Sequence, residues 1–263
     1  MKKLITLALV AAVALTGLFA GCQKKATNEK TFTVGFDADF PPYGFKDDKT
    51  GEYTGFDLDL AQEVANRNGW KLVKKPINWD AKDMELASGA IDCIWNGFTI
   101  NGREDKYEWT EPYVDNSQVV LVKAGSPIKT IADLAGKVVA AQTDTPVLKA
   151  LQEGDKVELG KTFKKIVVTA NYNNAVMELE SGAVDAVAMD IGVAKKKVAD
   201  AEGKFVILDE QIMSEKYGIG FKLGNKQLRE QVENSFKHMV ADGTAAKISA
   251  KWFDGQDVII LKP

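Results

Sequence analysis

Hydrophobic and polar positions along this chain switch repeatedly between two periods. TFTVGF (31–36) mixes Thr, Val and Phe in a short run and predicts a strand. FDLDLAQEVANRNG (56–69) places Leu60, Ala61, Val64 and Ala65 on one helical face, with Gly69 as its stop. WKLVKKP (70–76) predicts a strand, KDMELASG (82–89) a short helix ended by Gly89, and AIDCIWNGF (90–98) a strand apolar enough to be covered on both faces. A second series repeats the alternation. KVVAAQ (137–142), KIVVTA (165–170) and AVDAVAMD (183–190) predict strands. TPVLKALQ (145–152), NNAVMELESG (173–182) and IGVAKKKVADA (191–201) predict helices, and helices over 225–241 and 243–253 close the chain. Strands alternating with helices imply parallel sheets with helices on their faces.

The two series share a phrase. MELASGAID (84–92) returns as MELESGAVD (177–185), seven of nine positions identical and 93 residues apart. Each copy is one helix, turn and strand of a similar α/β half. Two such halves leave a cleft, and α/β sheets bind ligands at the carboxyl ends of their strands. The residues beyond each copy are therefore expected at the cleft: Trp95, Asn96, Gly97, Phe98 and Thr99 in one half, Asp190 in the other.

Composition adds a location. The 263 residues are 45% hydrophobic and 27% charged, which suits one or two soluble domains. Lys2 and Lys3 precede an apolar run, Leu4–Ala20, broken by Thr6, Thr16 and Gly17. That pattern predicts a secretory signal peptide over 1–21. The run ends in Leu18-Phe19-Ala20-Gly21-Cys22, which resembles a bacterial lipobox, so Cys22 is the expected lipidation site and 22–30 a flexible tether. Loss of Lys2 and Lys3 moves the formal charge from −3 to −5. No basic run points to nucleic acid. Cys93 has no partner if Cys22 is acylated and is expected in the core. His238 is the single histidine, and no metal-ligand spacing occurs, so neither a metal nor a cofactor is expected. Thr145-Pro146 reads as a helix start, with Thr as N-cap and Pro in the first turn; free N–H groups there can also hold a carboxylate.

Several segments in order carry a resemblance: VGFDADFPPYGF (34–45), GFDLDLAQEVANRNG (55–69), DCIWNGFTINGRED (92–105), WTEPYV (109–114), YGIGFK (217–222) and MVADGTAAKISAKWF (239–253). From Phe32 to Phe253 the chain resembles the bacterial solute-binding proteins of polar amino-acid ABC transporters, solute-binding family 3. The resemblance implies an α/β, two-lobed periplasmic-binding-protein-like fold of type II, each lobe a sheet flanked by helices. Lobe one would hold 30–113 and 218–263, lobe two 118–213, with hinges at 114–118 and 213–217. The implied activity is capture of a free polar amino acid by lobe closure, and delivery to an ABC permease driven by its ATPase. The implied form is an extracytoplasmic, lipid-anchored monomer and not an enzyme. Arginine, lysine, glutamine and cystine are the candidate ligands. A sensor, or a dehydratase on the same fold with Asp37 as base, are the alternatives.

By resemblance, Arg103 pairs the ligand carboxylate, since a guanidinium is a planar two-pronged donor. Asp190 pairs the ammonium, with Thr99 and backbone carbonyls taking its remaining hydrogens. Phe40, Trp95 and Phe98 would wall the site. Asp37 would meet the ligand side chain, and Asn96 and Gln142 would add polar contacts. Two departures stand out. TINGR is one residue shorter between Thr99 and Arg103 than the common pattern, and Asp144-Thr145-Pro146 stands where the family reads Gly-Thr-Thr or Gly-Thr-Ser.

Overall fold

A computed structural model describes residues 30–263. The expected signal peptide, Cys22 and all but the last residue of the tether lie outside the described residues.

The chain opens with β1 (Thr31–Phe36). A small antiparallel sheet follows, made of β2 (Asp39–Phe40), β3 (Gly44–Lys46) and β4 (Tyr53–Thr54). Then come α1 (Phe56–Asn68), β5 (Lys71–Pro76), α2 (Lys82–Ser88), β6 (Cys93–Thr99) and β7 (Glu108–Trp109). The chain crosses to the second lobe along β8 (Val114–Lys123). That lobe holds β9 (Val138–Gln142), α3 (Pro146–Gln152), α4 (Val157–Thr162), β10 (Lys165–Thr169), α5 (Tyr172–Ser181), β11 (Ala186–Asp190) and α6 (Ile191–Asp200). It returns along the 17-residue β12 (Phe205–Phe221), and α7 (Lys226–Ala241) and α8 (Thr244–Trp252) pack back on α1.

In each lobe the expected parallel strands are present: β5-β1-β6 in the first and β10-β9-β11 in the second. Between them lie two antiparallel strands that the periodicity did not reveal. β8 pairs with β11 on one side and with β12 on the other, and β12 continues onto β6 and β7. The lobe sheets are thus fused into one sheet through a ribbon, with register from Val114↔Tyr217 to Lys123↔Phe205. The first lobe buries Phe32, Val34, Phe36, Leu58 and Val64, each 0% exposed, and Cys93 sits in the same core. Each such apolar side chain contributes roughly 1.5–3 kcal/mol on burial.

The repeated phrase has one structural meaning. Gly89 (φ 77°) and Gly182 (φ 83°) end α2 and α5 in the left-handed region, where a Cβ would be strained. Ser88 and Ser181 both donate their hydroxyls to the glutamate carbonyl of the same helix, at 3.0 Å. The closing aspartates then clamp the first strand of their lobe. Thr33 N–H donates to Asp92 Oδ2 (2.7 Å) and Asp92 N–H to the Thr33 carbonyl (2.8 Å). Val138 N–H donates to Asp185 Oδ2 (2.8 Å) and Asp185 N–H to the Val138 carbonyl (2.8 Å). Thr33 and Val138 are therefore equivalent, and so, four residues on, are Asp37 and Gln142.

Candidate functional site

The carboxyl ends of the strands in both lobes converge on a cavity of 10 Å³. Phe40, Trp79, Gly97, Thr99 and Arg103 line it from the first lobe, and Thr145, Pro146 and Asp190 from the second. That volume is about what one water needs. The lobes are closed on the site, so any larger guest requires them to part.

Arg103 is buried and shaped from below. Phe98 lies under it, with the guanidinium carbon 5.1 Å from the ring centre. Phe98 in turn packs on Trp79, Tyr107 and Trp109. A tight turn through Gly102 (φ 76°) delivers the arginine: Arg103 N–H donates to the Ile100 carbonyl (2.8 Å), and Trp109 Nε1 donates to the Arg103 carbonyl (2.9 Å). The shortened TINGR segment closes as this turn. Arg103 Nη1 donates to the Thr99 carbonyl (3.2 Å) and Nη2 to the Asp144 carbonyl (2.6 Å). Burial pulls its guanidinium down from the ordinary value, and the field of Tyr107, Glu215, Asp83 and Asp190 opposes that.

Asp144 explains the second departure. Its φ is +51°, a conformation natural to the glycine of the family pattern. Here the residue keeps that backbone and uses both ends. Its carbonyl faces Arg103, and its carboxylate accepts from Lys82, a lysine 1% exposed on α2. Burial, with Arg103 nearby, pulls the Lys82 ammonium down to about 8. Thr145 caps α3 as expected: its Oγ1 accepts from Leu148 N–H (3.4 Å) and donates to the Gln142 carbonyl (2.8 Å).

Asp190 ends β11 and is 3% exposed. It sits at the N-cap position of α6, yet its carboxylate makes no cap bond. Its Oδ1 accepts from Asn116 Nδ2 (2.8 Å), Gln118 Nε2 (2.9 Å) and the Tyr217 hydroxyl, and its Oδ2 from the Tyr172 hydroxyl (2.8 Å). Gly97 (φ +54°) leaves no room for a Cβ beside the Phe40 ring, and its N–H donates to Asp57 Oδ2 (2.6 Å). Asp57 is fully buried, also accepts from the Tyr113 hydroxyl (2.8 Å), and is pushed up to about 7 by that burial.

Five expected residues stand outside this cavity. Trp95 does not wall the cavity; it lies lower on β6, packed on Tyr113 and Phe236 in the lobe core. Phe98 supports Arg103 without lining the cavity. Asn96 is buried against Gly44. Asp37 and Gln142 meet each other instead, across the lobes: Gln142 Nε2 donates to Asp37 Oδ2 at 2.7 Å. Asp37 borders an outer groove of 590 Å³, lined also by Asp39, Asp80 and Glu85. Burial raises the Asp37 carboxyl. Asp39 is held from the other lobe by Asn171 (2.8 Å) and Asn173 (2.6 Å). Trp79 separates groove from cavity and lines both. Trp79 and Tyr172 lie just past the ends of β5 and β10, so the strand-end rule could have found them. Glu215, Asn116 and Gln118 carried no such signal, because they lie inside the crossing strands. Among the described residues no cluster of His, Cys, Asp or Glu could hold a metal ion.

A two-lobed α/β molecule with oppositely charged residues buried where its strand ends meet has the build of a cleft-type binding protein. The chain belongs to the bacterial extracellular solute-binding proteins, family 3, whose profile matches residues 32–255. It is 30% identical over 241 residues to the L-cystine-binding protein TcyJ of Escherichia coli K12, covering 90% of this chain and 88% of that one. The fold superposes on an ABC uptake transporter substrate-binding protein from Streptococcus pneumoniae with bound histidine. There the TM-score is 0.83 at 29% identity, over 88% of this chain and 95% of that one. An ancestral arginine-binding protein bound to glutamine gives a TM-score of 0.78 at 37% identity, covering 86% and 98%.

Proposed function

We propose that this chain captures a free polar amino acid between its lobes and passes it to an ABC permease powered by a separate ATPase. The carrying observation is the shared cavity: Arg103 from one lobe and Asp190 from the other line it together, both buried. A zwitterion desolvated there needs each end paired, at a cost of several kcal/mol per ion otherwise. Arg103 takes the carboxylate, with Thr145 beside it, and Asp190 the ammonium, with Thr99 and Gly97 backbone groups nearby. Phe40 and Trp79 enclose the apolar part of the ligand. Asp37, Gln142 and the acidic outer groove receive the distal end, which favours a ligand with a long polar or cationic tail. Arginine, lysine, glutamine and cystine remain the candidates, and histidine joins them through the pneumococcal relative.

Closure is a movement of lobe one (30–113 and 218–263) against lobe two (118–213) about the paired segments 114–118 and 213–217. The ligand leaves unchanged, the protein acts as a monomer, and acylation at Cys22 holds it on the outer face of the cell membrane. A thermal-shift panel of the amino acids and cystine tests the central reading. One or a few polar members should raise the melting temperature, and their recovery intact by mass spectrometry should separate binding from conversion. A flat panel would overturn it.

A further inference from the structure

Glu215 is a buried carboxyl that the reading above does not use. It is 3% exposed and sits on β12 in the crossing ribbon, paired in register with Asn116. Its Oε1 accepts from Asn116 Nδ2 (2.6 Å) and Gln118 Nε2 (2.8 Å). The same two amide nitrogens also donate to Asp190 Oδ1. The two carboxyl groups thus share their donors and face each other across two amides. Glu215 Oε2 is buried and has no hydrogen-bond partner among the described residues. The other groups against the pair are neutral: Tyr217 from β12, Tyr172 from α5, and Tyr43, from the turn between β2 and β3, whose hydroxyl feels both charges. Arg103 also feels both carboxylates, but none of its N–H groups donates to either; two go to the Thr99 and Asp144 carbonyls and the rest stay free for a ligand. Two like charges this close in a dry site cannot both persist without a cation. Burial and the charge of Asp190 accordingly raise the Glu215 carboxyl.

We propose that Glu215 joins Asp190 in a two-carboxyl subsite for a primary ammonium group. One proton bridges the pair in the closed molecule without an ammonium, and the arriving ammonium displaces it to solvent. The carboxyl O–H bond breaks, the proton goes to water, and the ligand keeps all of its own hydrogens. Capture is then linked to proton release, and Glu215 is a binding residue. The ammonium half of this inference rests on the amino-acid reading; the shared proton does not.

Two measurements on the purified protein separate them. At neutral pH, an infrared difference between wild type and Glu215→Gln should show a carboxylic-acid stretch in the wild type that the variant lacks. Calorimetry with L-arginine, L-histidine and L-cystine, repeated in buffers of different ionisation enthalpy, should give about one proton released per bound ligand. Glu215→Gln should bind roughly ten- to hundredfold more weakly and release almost none. Absence of the infrared band, or equal proton release by the variant, overturns the proposal. If no amino acid binds, the amino-acid reading falls, and the infrared difference alone decides the shared proton.

Discussion

Arg103 and Asp190 line one cavity because β11 ends at Asp190 and the turn after β6 delivers Arg103; Asp190 was legible as a strand end, and Arg103 only through the family resemblance. Arg103→Ala should raise the dissociation constant of every amino-acid ligand at least a hundredfold, since one partner of a buried charge pair is typically worth about 3–5 kcal/mol. Arg103→Lys should not restore it, because an ammonium has no planar fork to rest on Phe98. Calorimetry on both variants reads this directly, and near-normal affinity in either would displace Arg103 from its role. Two other side chains govern the response to pH. Burial, with the charge of Asp190, raises Glu215 above its ordinary value, and burial raises Asp57 from 3.8 to about 7. The native state therefore holds these protons more tightly than the unfolded chain. The stability they contribute is complete below the unfolded values and is lost as pH climbs from there through about 7, the raised Asp57 value. The ligand-free melting temperature should fall over that window, and Asp57→Asn and Glu215→Gln should each flatten the slope. What the sequence could not resolve at this scale is depth. It showed that Trp95, Asn96 and Phe98 belong to a strand pointing at the cleft, but not how far up that strand the cavity begins.

Helices and strands with a clean period were legible to within a few residues, from β1 through α8. The repeated phrase was legible as a helix, turn and strand, and the structure adds its purpose: a carboxylate that staples the strand after it to the first strand of its lobe. Asp92→Ala should lose about 1 kcal/mol of stability through an abandoned backbone donor. Asp185→Ala should lose less, because its surroundings are wetter. Chemical denaturation distinguishes the two, and equal, negligible losses would make the repeat an accident of composition. β8 and β12 escaped notice for a physical reason. Each runs from one core to the other through the polar middle of the molecule. LDEQIMSEK (208–216) therefore mixes outward charges, interior carboxyls and apolar anchors with no single period. α4 was missed because VELGKT is too short for its pattern to stand out.

Across the whole molecule, polar contacts between lobes hold the closed arrangement alongside an aromatic one, Phe40 against Tyr172. Lys82 reaches Asp144, Asp39 takes two asparagine amides, and Gln142 reaches Asp37. Such contacts trade readily for water, so the open form is within a few kcal/mol. Asp144→Asn weakens the Lys82 contact and spares the backbone carbonyl that Arg103 uses. The variant should show a larger radius of gyration in solution scattering without ligand, and lose that excess when ligand is added. An unchanged radius would remove Lys82–Asp144 from the closure. The two-lobed plan was visible in the sequence because the halves resemble each other. The fusion of their sheets was not, since strand pairing between segments about a hundred residues apart leaves no local trace.

The crossing ribbon sets a limit on that motion. Its two strands are hydrogen-bonded to each other along most of their length, so neither can swivel as a free joint. Bending has to be shared as a gradual change of twist, which makes the gape small and repeatable from one cycle to the next. It also makes the molecule tolerant of damage: a protease that cut one crossing would leave the halves tied by the other, still aligned and still able to shut.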